Sequence, residues 1–221
     1  MEYSKEITDM FLIRYRELEA IQQNNNSKYQ YLLSNYRSEL DLFRHIRNDL
    51  SHDVVASNYP FIVSKSCLDL LESLLNKVKE KAYEYAKKGK KLVCVYENAS
   101  VKNVLSLMSK YHFSYIPVVD SNYVVKGIVS SDSMIDLLYL NKVDDEALVK
   151  DYMDLFSLTN NENAFFVFIK KDTYFYELKQ NLNNYYNEDR KLGIIFITKS
   201  GNEDEPLLGL LTPWDVLKNQ D

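Results

Sequence analysis

The C-terminal part of the chain repeats one order of predicted elements, and this repeat constrains the fold more than any other feature. In the first copy, strand, helix, strand, strand and helix are predicted at 92–95, 100–111, 115–119, 124–129 and after Ser130. In the second copy, the same order is predicted at 165–169, 173–186, 193–198, 207–211 and from Pro213. The copies lie roughly 75 to 80 residues apart, a longer period than solenoid repeats have. The sequence therefore predicts two copies of one small β-α-β-β-α domain.

Residues 1–88 have the apolar spacing of helices throughout. One helix is predicted before a break at Asn24–Ser27, a second over 28–52, and a third from Pro60 to near Gly89. Three long helices with short connections predict an antiparallel hairpin or a small bundle. The predicted fold class is α+β, with an all-α N-terminal domain followed by the repeated units. The predicted domain limits are 1–88, 89–143 and 144–221.

The composition is that of a globular chain, with 46% hydrophobic and 27% charged residues among 221. The net charge is −5, and the acidic excess lies beyond residue 90, which opposes stable duplex nucleic-acid binding. Cys67 and Cys94 stand alone in apolar surroundings, as in proteins of a reducing compartment. The N-terminus lacks the apolar segment of a signal peptide, and no apolar run is long enough to span a membrane. We therefore expect a cytoplasmic protein without membrane contact.

Three short segments carry a resemblance to a known family. Ser114–Asp120, Gly127–Ser133 and Gly209–Asp215 resemble the middle of a CBS domain, and the resemblance extends over about residues 86–219. It implies a tandem pair of CBS domains that pack through their sheets and hold adenosine-containing ligands in the clefts between them. The ligand would be AMP, ADP, ATP, cyclic di-AMP or S-adenosylmethionine. The C-terminal half would then be a sensor and not an enzyme.

In the second copy, the resemblance assigns ligand contacts to particular residues. Thr212 would face phosphate at the start of the last helix, where free backbone amides favour an anion. Asp215 would accept hydrogen bonds from the ribose hydroxyls. The walls of the adenine slot would be Phe168, Gly193, Ile194 and Ile195. The same Thr-Pro-Trp-Asp sequence is also a good helix start, with a capping box and proline at the first helical position, so capping alone remains an alternative.

The first copy departs from this pattern. Ser130 stands at the Ser/Thr position, but Ser133 occupies the position of the Asp. Asp132 comes one residue early, about 100° around the helix, which puts ribose recognition by this copy in doubt. Ser130 and Ser133 are nevertheless candidate contacts, and the other candidate pocket residues are Tyr115, Ile116, Pro117 and Cys94.

A further motif closes the second predicted helix. Arg47, Asn48 and His52 resemble the Arg-Asn-x-x-x-His signature of HEPN domains, helical modules that often dimerise and cleave RNA without a metal. The resemblance implies that His52 acts as general acid or base, that Arg47 stabilises charge on the phosphate and that Asn48 orients either group. Two alternatives remain open: a non-catalytic dimerisation or binding role, and simple capping of the final carbonyls.

No phosphate-binding loop, dinucleotide fingerprint or metal-ligand spacing is found, so no metal is expected. The predicted function is an adenine-nucleotide-sensing regulator, a homodimer in which the CBS pair controls the helical domain. The alternative is a nucleotide-regulated, metal-independent HEPN-type ribonuclease, for which RNA would be a partner. The sequence leaves enzymatic activity undecided.

Overall fold

The fold is described from a computed structural model, which covers residues 2–52, 59–140, 143–144, 146–159, 163–185 and 190–218. The chain divides into two units. The helical unit is Met1–Glu80 with Tyr174–Tyr176, and the second unit is Lys81–Thr173 with Glu177–Asp221. The predicted domain boundary at residue 88 remains a prediction.

In its described part, the helical unit contains the helices α1 (Glu2–Asn24), α2 (Asn26–Asn35), α3 (Arg37–His52) and α4 (Lys65–Lys77). Their apolar faces meet in one core, which includes Phe11, Leu32, Phe43, Leu50, Leu71 and Tyr176. The core is therefore completed by a residue from far along the chain. Ser27 and Tyr176, whose hydroxyls lie 3.4 Å apart, are 149 residues apart in sequence.

The breaks between the first helices were predicted in part. The break between α1 and α2 is confirmed, and the Asn25 side chain caps α2 by accepting a hydrogen bond from the Lys28 amide at 3.1 Å. The single helix predicted over 28–52 is wrong, because the chain leaves helical geometry at Tyr36 (φ −138°, ψ 38°). The Asn35 amide donates to the carbonyl of Tyr31 at 2.7 Å, a local bond that competes with the helical pattern.

The predicted third helix is also shorter than expected. It begins at Lys65 rather than Pro60, because the Ser64 side chain caps it by accepting from the Cys67 amide at 3.2 Å. It ends at Lys77, and a separate short helix, α5 (Ala82–Tyr85), follows in the second unit. The helix does not continue to Gly89, because Lys87 exchanges two backbone hydrogen bonds with Leu210.

The second unit contains the predicted repeat. Its elements are β1 (Val95–Tyr96), α6 (Val101–Tyr111), β2 (Tyr115–Val119), β3 (Val125–Ser130), α7 (Ser131–Tyr139), β4 (Ala164–Lys170), α8 (Phe175–Tyr185), β5 (Lys191–Thr198), β6 (Gly209–Leu211) and α9 (Pro213–Leu217). The two sheets have orders β1-β2-β3 and β4-β5-β6, each with one parallel and one antiparallel pairing. Helix α8 starts in the helical unit and continues in the second unit. The order of elements was predicted correctly in both copies.

The first strand differs most from its prediction. The first strand was expected at 92–95, whereas β1 is Val95–Tyr96. The Leu92 amide donates to the Gly89 carbonyl at 3.0 Å, which keeps this residue in a 3₁₀ turn over Gly89–Lys91. The apolar side chain of Leu92 is buried all the same, which explains why it gave the signal of a strand.

The two sheets of the second unit share one apolar core. Both sheets contribute to it, and its buried members are Leu92, Val119, Val125, Ile128, Ile194, Phe196, Leu207 and Leu210. A backbone hydrogen bond of 2.9 Å, from the Leu207 amide to the Tyr123 carbonyl, also joins the segments that flank β3 and β6. The packing of the sheets against each other agrees with the expectation from the sequence.

Because Gly127 has no side chain, the backbone at Phe156 can lie close to β3. The Ile128 amide donates to the Phe156 carbonyl at 2.7 Å. A Cβ added at Gly127 would lie 2.6 Å from the same carbonyl oxygen. Since that oxygen belongs to the backbone, it cannot turn away as a flexible side chain could.

We expect Gly127→Ala to lower the free energy of unfolding by about 1–3 kcal/mol, the usual effect of adding a methyl group to a filled space. Urea denaturation followed by circular dichroism would measure this loss. The matched control is Lys126→Ala, an exposed neighbour on the same strand whose exposed ion pair with Asp120 should contribute little to stability. Equal stability of the Gly127→Ala variant and the wild type would contradict the close approach.

Candidate functional site

The last helix of each copy begins with the same local structure. Ser130 precedes α7 and Thr212 precedes α9, and both residues are extended (φ −104° and −100°). In each copy the side chain of this residue and the side chain three positions later form a capping box. The two copies therefore share the capping hydrogen bonds as well as the order of elements, and the last helix of each copy begins in the same way.

The box of the second copy is charged. Asp215 Oδ2 accepts hydrogen bonds from the Thr212 amide at 2.8 Å and from the Thr212 hydroxyl at 2.6 Å. The Lys87 ammonium lies 3.2 Å from the same oxygen. Burial by itself would raise the pKa of Asp215, but the hydrogen bonds from Thr212 and the charge of Lys87 outweigh it, so the pKa is lowered. The capping alternative is thus seen directly, with a lysine added that the motif did not predict.

The box of the first copy is neutral. Ser130 and Ser133 exchange hydrogen bonds between each amide and the other hydroxyl, both at 3.0 Å. The two side chains are 2% and 6% exposed. Both predicted contact residues are therefore occupied in holding the helix start, as Thr212 and Asp215 are in the second copy.

A cavity of about 380 Å³ opens beside the neutral box. We name it the first cleft, and its lining residues are Ser114, Tyr115, Ser130, Ser131, Asp132, Asn163 and Lys191. The Asn163 amide donates to Asp132 Oδ2 at 2.8 Å. Burial, and in second place the Asp132 carboxylate, raise the pKa of Tyr115. The cleft therefore combines a carboxylate, an ammonium group, hydroxyls and an aromatic ring.

Asp132 stands one residue before the position that the CBS motif assigns to its Asp. Ser133, at the position of the motif Asp, points into the buried box, whereas Asp132 is exposed and lines the first cleft. Asn163 and Lys191 were missed altogether, because they stand before β4 and at the start of β5, outside every motif. Only the repeat could have indicated them, because the strand starts of the second copy lie beside the helix start of the first copy.

The residues predicted to wall the adenine slot pack against neighbouring side chains. A Cβ added at Gly193 would lie 2.6 Å from the Phe166 ring. Ile194 is buried between the sheets, and Ile195, on the opposite face of β5, is fully buried. The Phe168 ring packs against Phe196 with 5.0 Å between centroids.

Of the other predicted pocket residues in the first copy, Tyr115 alone lines the first cleft. Ile116 and Pro117 are buried within β2. Cys94 packs beside the core between the sheets, and burial raises its pKa to about 11 despite the opposing effect of a hydrogen bond from Tyr123. A thiol in this state is a poor nucleophile and behaves as a packing residue.

The motif of the helical unit lies at the end of α3. The Arg47 guanidinium is 3.1 Å from Glu19 Oε1, and it donates to Asn48 Oδ1 at 3.3 Å. Arg47 is thus bound to a carboxylate of α1 within its own chain. His52 is the last residue of α3, and its side chain lies outside the described residues.

The described residues offer neither a metal site nor a membrane-spanning helix. They contain no group of three or more His, Cys, Asp or Glu side chains placed to hold a metal ion. Among the helices that the structure describes, none is long and apolar enough to cross a membrane. A wider depression of about 600 Å³ lies at the other end of β2, near Tyr96, Asp120 and Lys150, and includes no predicted site residue.

Comparison with known proteins bears on the first copy. The family model described as "CBS domain" matches residues 86–140. This segment is a CBS domain. Of the first cleft, all residues but Asn163 and Lys191 lie within it. No curated protein matches the chain in sequence.

Solved structures also match the chain, with TM-scores below 0.5. CbpB in complex with c-di-AMP has 12% identity and a TM-score of 0.49, covering 68% of this chain and 90% of that one. CBSX2 in complex with AMP has 18% identity and a TM-score of 0.44, covering 63% and 94%. A hemolysin-like protein containing a CBS domain from Oenococcus oeni PSU has 12% identity and a TM-score of 0.44, covering 67% and 95%.

The two capping boxes predict different responses to pH. Asp215→Ala should lower the free energy of unfolding by about 1 kcal/mol at pH 7 through loss of the cap. Because folding lowers the pKa of Asp215, its contribution is present above the unfolded carboxyl pKa of about 3.9 and is lost as the pH falls through the folded value. Wild-type and variant stabilities should therefore converge below about pH 4.

Urea unfolding between pH 7 and pH 3 measures this convergence, and Ser133→Ala in the CBS domain is its matched control. It removes the neutral box at a similar cost, about 1 kcal/mol, that should not change over this range. A constant difference between the wild type and Asp215→Ala at every pH would contradict the charged box.

Proposed function

We propose that this chain is a cytoplasmic regulatory protein that binds an adenine nucleotide in the first cleft. The observation that carries the proposal is the set of side chains around that cleft, where Asp132 and Tyr115 of the CBS domain and Lys191 of β5 surround one cavity. Its volume, about 380 Å³, lies in the range of small-molecule sites. The CBS resemblance supplies the ligand class, and the side chains supply the chemistry.

Each of the three side chains suits one part of a nucleotide. The Asp132 carboxylate, held by the Asn163 amide, can accept hydrogen bonds from ribose hydroxyls. The Lys191 ammonium is exposed at the start of β5 and can pair with phosphate. The Tyr115 ring, half-buried against Phe166 with 5.6 Å between centroids, offers a surface for the base.

In this proposal the second copy has a structural role. We propose that it too is a CBS domain, with limits 89–143 and 144–221 for the two, because it repeats the element order and the capping box. Its Asp215, however, is bound to Lys87 and to both donors of Thr212. A ribose would have to displace Lys87, so the motif of the second copy serves the fold rather than the ligand.

The regulatory step is proposed to act on the helical unit, which would be the dimerisation or effector part of a homodimer. Helix α8 belongs to both units, so a change at β4 or β5 can reach it along the chain. A ligand shifts such an equilibrium only by its difference in affinity for the two states. Couplings of this kind are typically about 1–3 kcal/mol. The homodimer rests on the HEPN resemblance.

The ribonuclease alternative stays a prediction. Its motif requires an Arg47 that can meet a phosphate, but Arg47 is paired with Glu19. No contact in the described part of the helical unit favours catalysis over capping or docking.

Thermal melting with AMP, ADP, ATP, cyclic di-AMP and S-adenosylmethionine tests the proposed ligand class. A ligand at 100 times its dissociation constant stabilises the folded state by about 2.7 kcal/mol. For a chain of this size, each kcal/mol raises the melting temperature by roughly 2–4 °C. We expect a selective shift that Asp132→Ala abolishes and that Asp215→Ala preserves. Asp136→Ala, an exposed acid on the same helix, is the control. A shift lost in Asp215→Ala but kept in Asp132→Ala would move the site to the second copy.

Lys191→Gln separates the phosphate contact from the rest of the site. We expect it to weaken a nucleotide about tenfold, since a hydrogen bond to a charged group contributes about 1.5–3 kcal/mol, and to leave adenosine binding unchanged. Isothermal titration calorimetry with the nucleotide that shifts the melting temperature, and with adenosine, measures both. Lys199→Gln, an exposed lysine just after β5, is the control. Equal losses for the two ligands would place Lys191 away from the phosphate.

A further inference from the structure

Two lysines from distant segments of the second unit lie over one tyrosine ring. The Lys88 ammonium is 4.2 Å from the centroid of Tyr83, and the Lys171 ammonium is 4.9 Å from the same centroid. The two nitrogens are therefore at most about 9 Å apart, the sum of those distances. Lys88 follows α5, and Lys171 directly follows β4.

The backbone on both sides of this cluster is held by hydrogen bonds. Lys87 exchanges two backbone hydrogen bonds with Leu210, which places the following Lys88. The Lys171 amide donates to the Thr198 carbonyl at 2.9 Å, directly after β4. Tyr83 belongs to α5 and lies beside Gly209, where an added Cβ would be 3.6 Å from its ring. The convergence is thus a consequence of sheet pairing rather than of loose surface side chains.

The charge of the two lysines is not neutralised nearby. In the part of the chain that the structure describes, neither ammonium has a carboxylate within ion-pair distance. Glu84 and Asp172, the nearest acids in sequence, are exposed and make no ion pair with either lysine. The adjacent Lys87 is different, because its charge is paired with Asp215.

Like charges this close repel each other, and the face of one ring offsets only part of that cost. The turn after Lys88 adds two more exposed cations, Lys90 and Lys91. The chain as a whole has a net charge of −5, so this positive surface is a local feature. An anion that contacts both Lys88 and Lys171 would remove the repulsion and gain two charge-assisted hydrogen bonds.

We propose that Lys88 and Lys171, positioned on Tyr83, bind a short chain of linked phosphates. A single phosphate has one centre, whereas two or three linked phosphates can reach both ammonium groups. This site is separate from the first cleft, because Asn163 precedes β4 and Lys171 follows it, and the seven residues of β4 span about 23 Å. The phosphates would come from a free oligophosphate or from the tail of a nucleoside triphosphate.

Calorimetric titration of the full-length protein with inorganic tripolyphosphate at low salt is the test. We expect the wild type to bind, and the double variant Lys88→Gln, Lys171→Gln to bind at least about tenfold more weakly, since each lost charged hydrogen bond has about that effect. Lys110→Gln is the matched control, because Lys110 also lies over a tyrosine, Tyr111, at 5.1 Å but has no second lysine there. Its affinity should equal that of the wild type.

The two sources of phosphate are separated by ATP. If ATP binding at this site uses only its tail, ATP and tripolyphosphate compete, and the competition is lost in the double variant. Absence of tripolyphosphate binding to the wild type, or equal binding by the double variant, would overturn the proposal. So would equal displacement by sulfate at matched ionic strength, which would show general screening. None of these results depends on Asp132, so failure here is distinguishable from failure of the first cleft.

Discussion

The second unit depends on the burial of two sheet faces against each other. A three-stranded sheet with a two-residue first strand has too little apolar area to be stable alone, and its exposed face would attract other chains. Here Val119 and Ile128 of one sheet meet Ile194, Phe196 and Leu210 of the other. This pairing brings strand starts of one copy to the helix start of the other. The first cleft exists because the sheets pair, not because either copy contains a pocket.

The two capping boxes have the same backbone conformation but different side chains. A carboxylate in the box, as at Asp215, attracts a cation, and Lys87 provides it from the segment between α5 and β1. Two hydroxyls, as at Ser130 and Ser133, need no partner and leave the neighbouring Asp132 exposed to the cleft. Motif matching therefore favoured the copy whose acid is occupied. Residue type and spacing predict a helix start well, but they do not tell whether the acid is bound within the chain.

The order and approximate limits of the elements in the second unit could be predicted, because apolar periodicity and the repeat agree. The errors in the helical region share one cause. The break at Tyr36 and the early end of α4 involve local hydrogen bonds that periodicity does not register, to the Tyr31 carbonyl in one case and to the Asn76 carbonyl in the other. Asn163 and Lys191 could not be found for a similar reason. Their role comes from a long-range arrangement, and no local pattern marks them.

The participation of Tyr176 in the helical core has a consequence for synthesis of the protein. Domains generally fold in order as the chain emerges, with the N-terminal one first. The helical unit cannot follow that order completely, because Tyr176 is 2% exposed in its core and is made long after α1 to α4. Until then, Tyr31 and its neighbours lack the ring that covers them, 5.2 Å away between centroids. The core of the helical unit is therefore completed only once the start of α8 has been made.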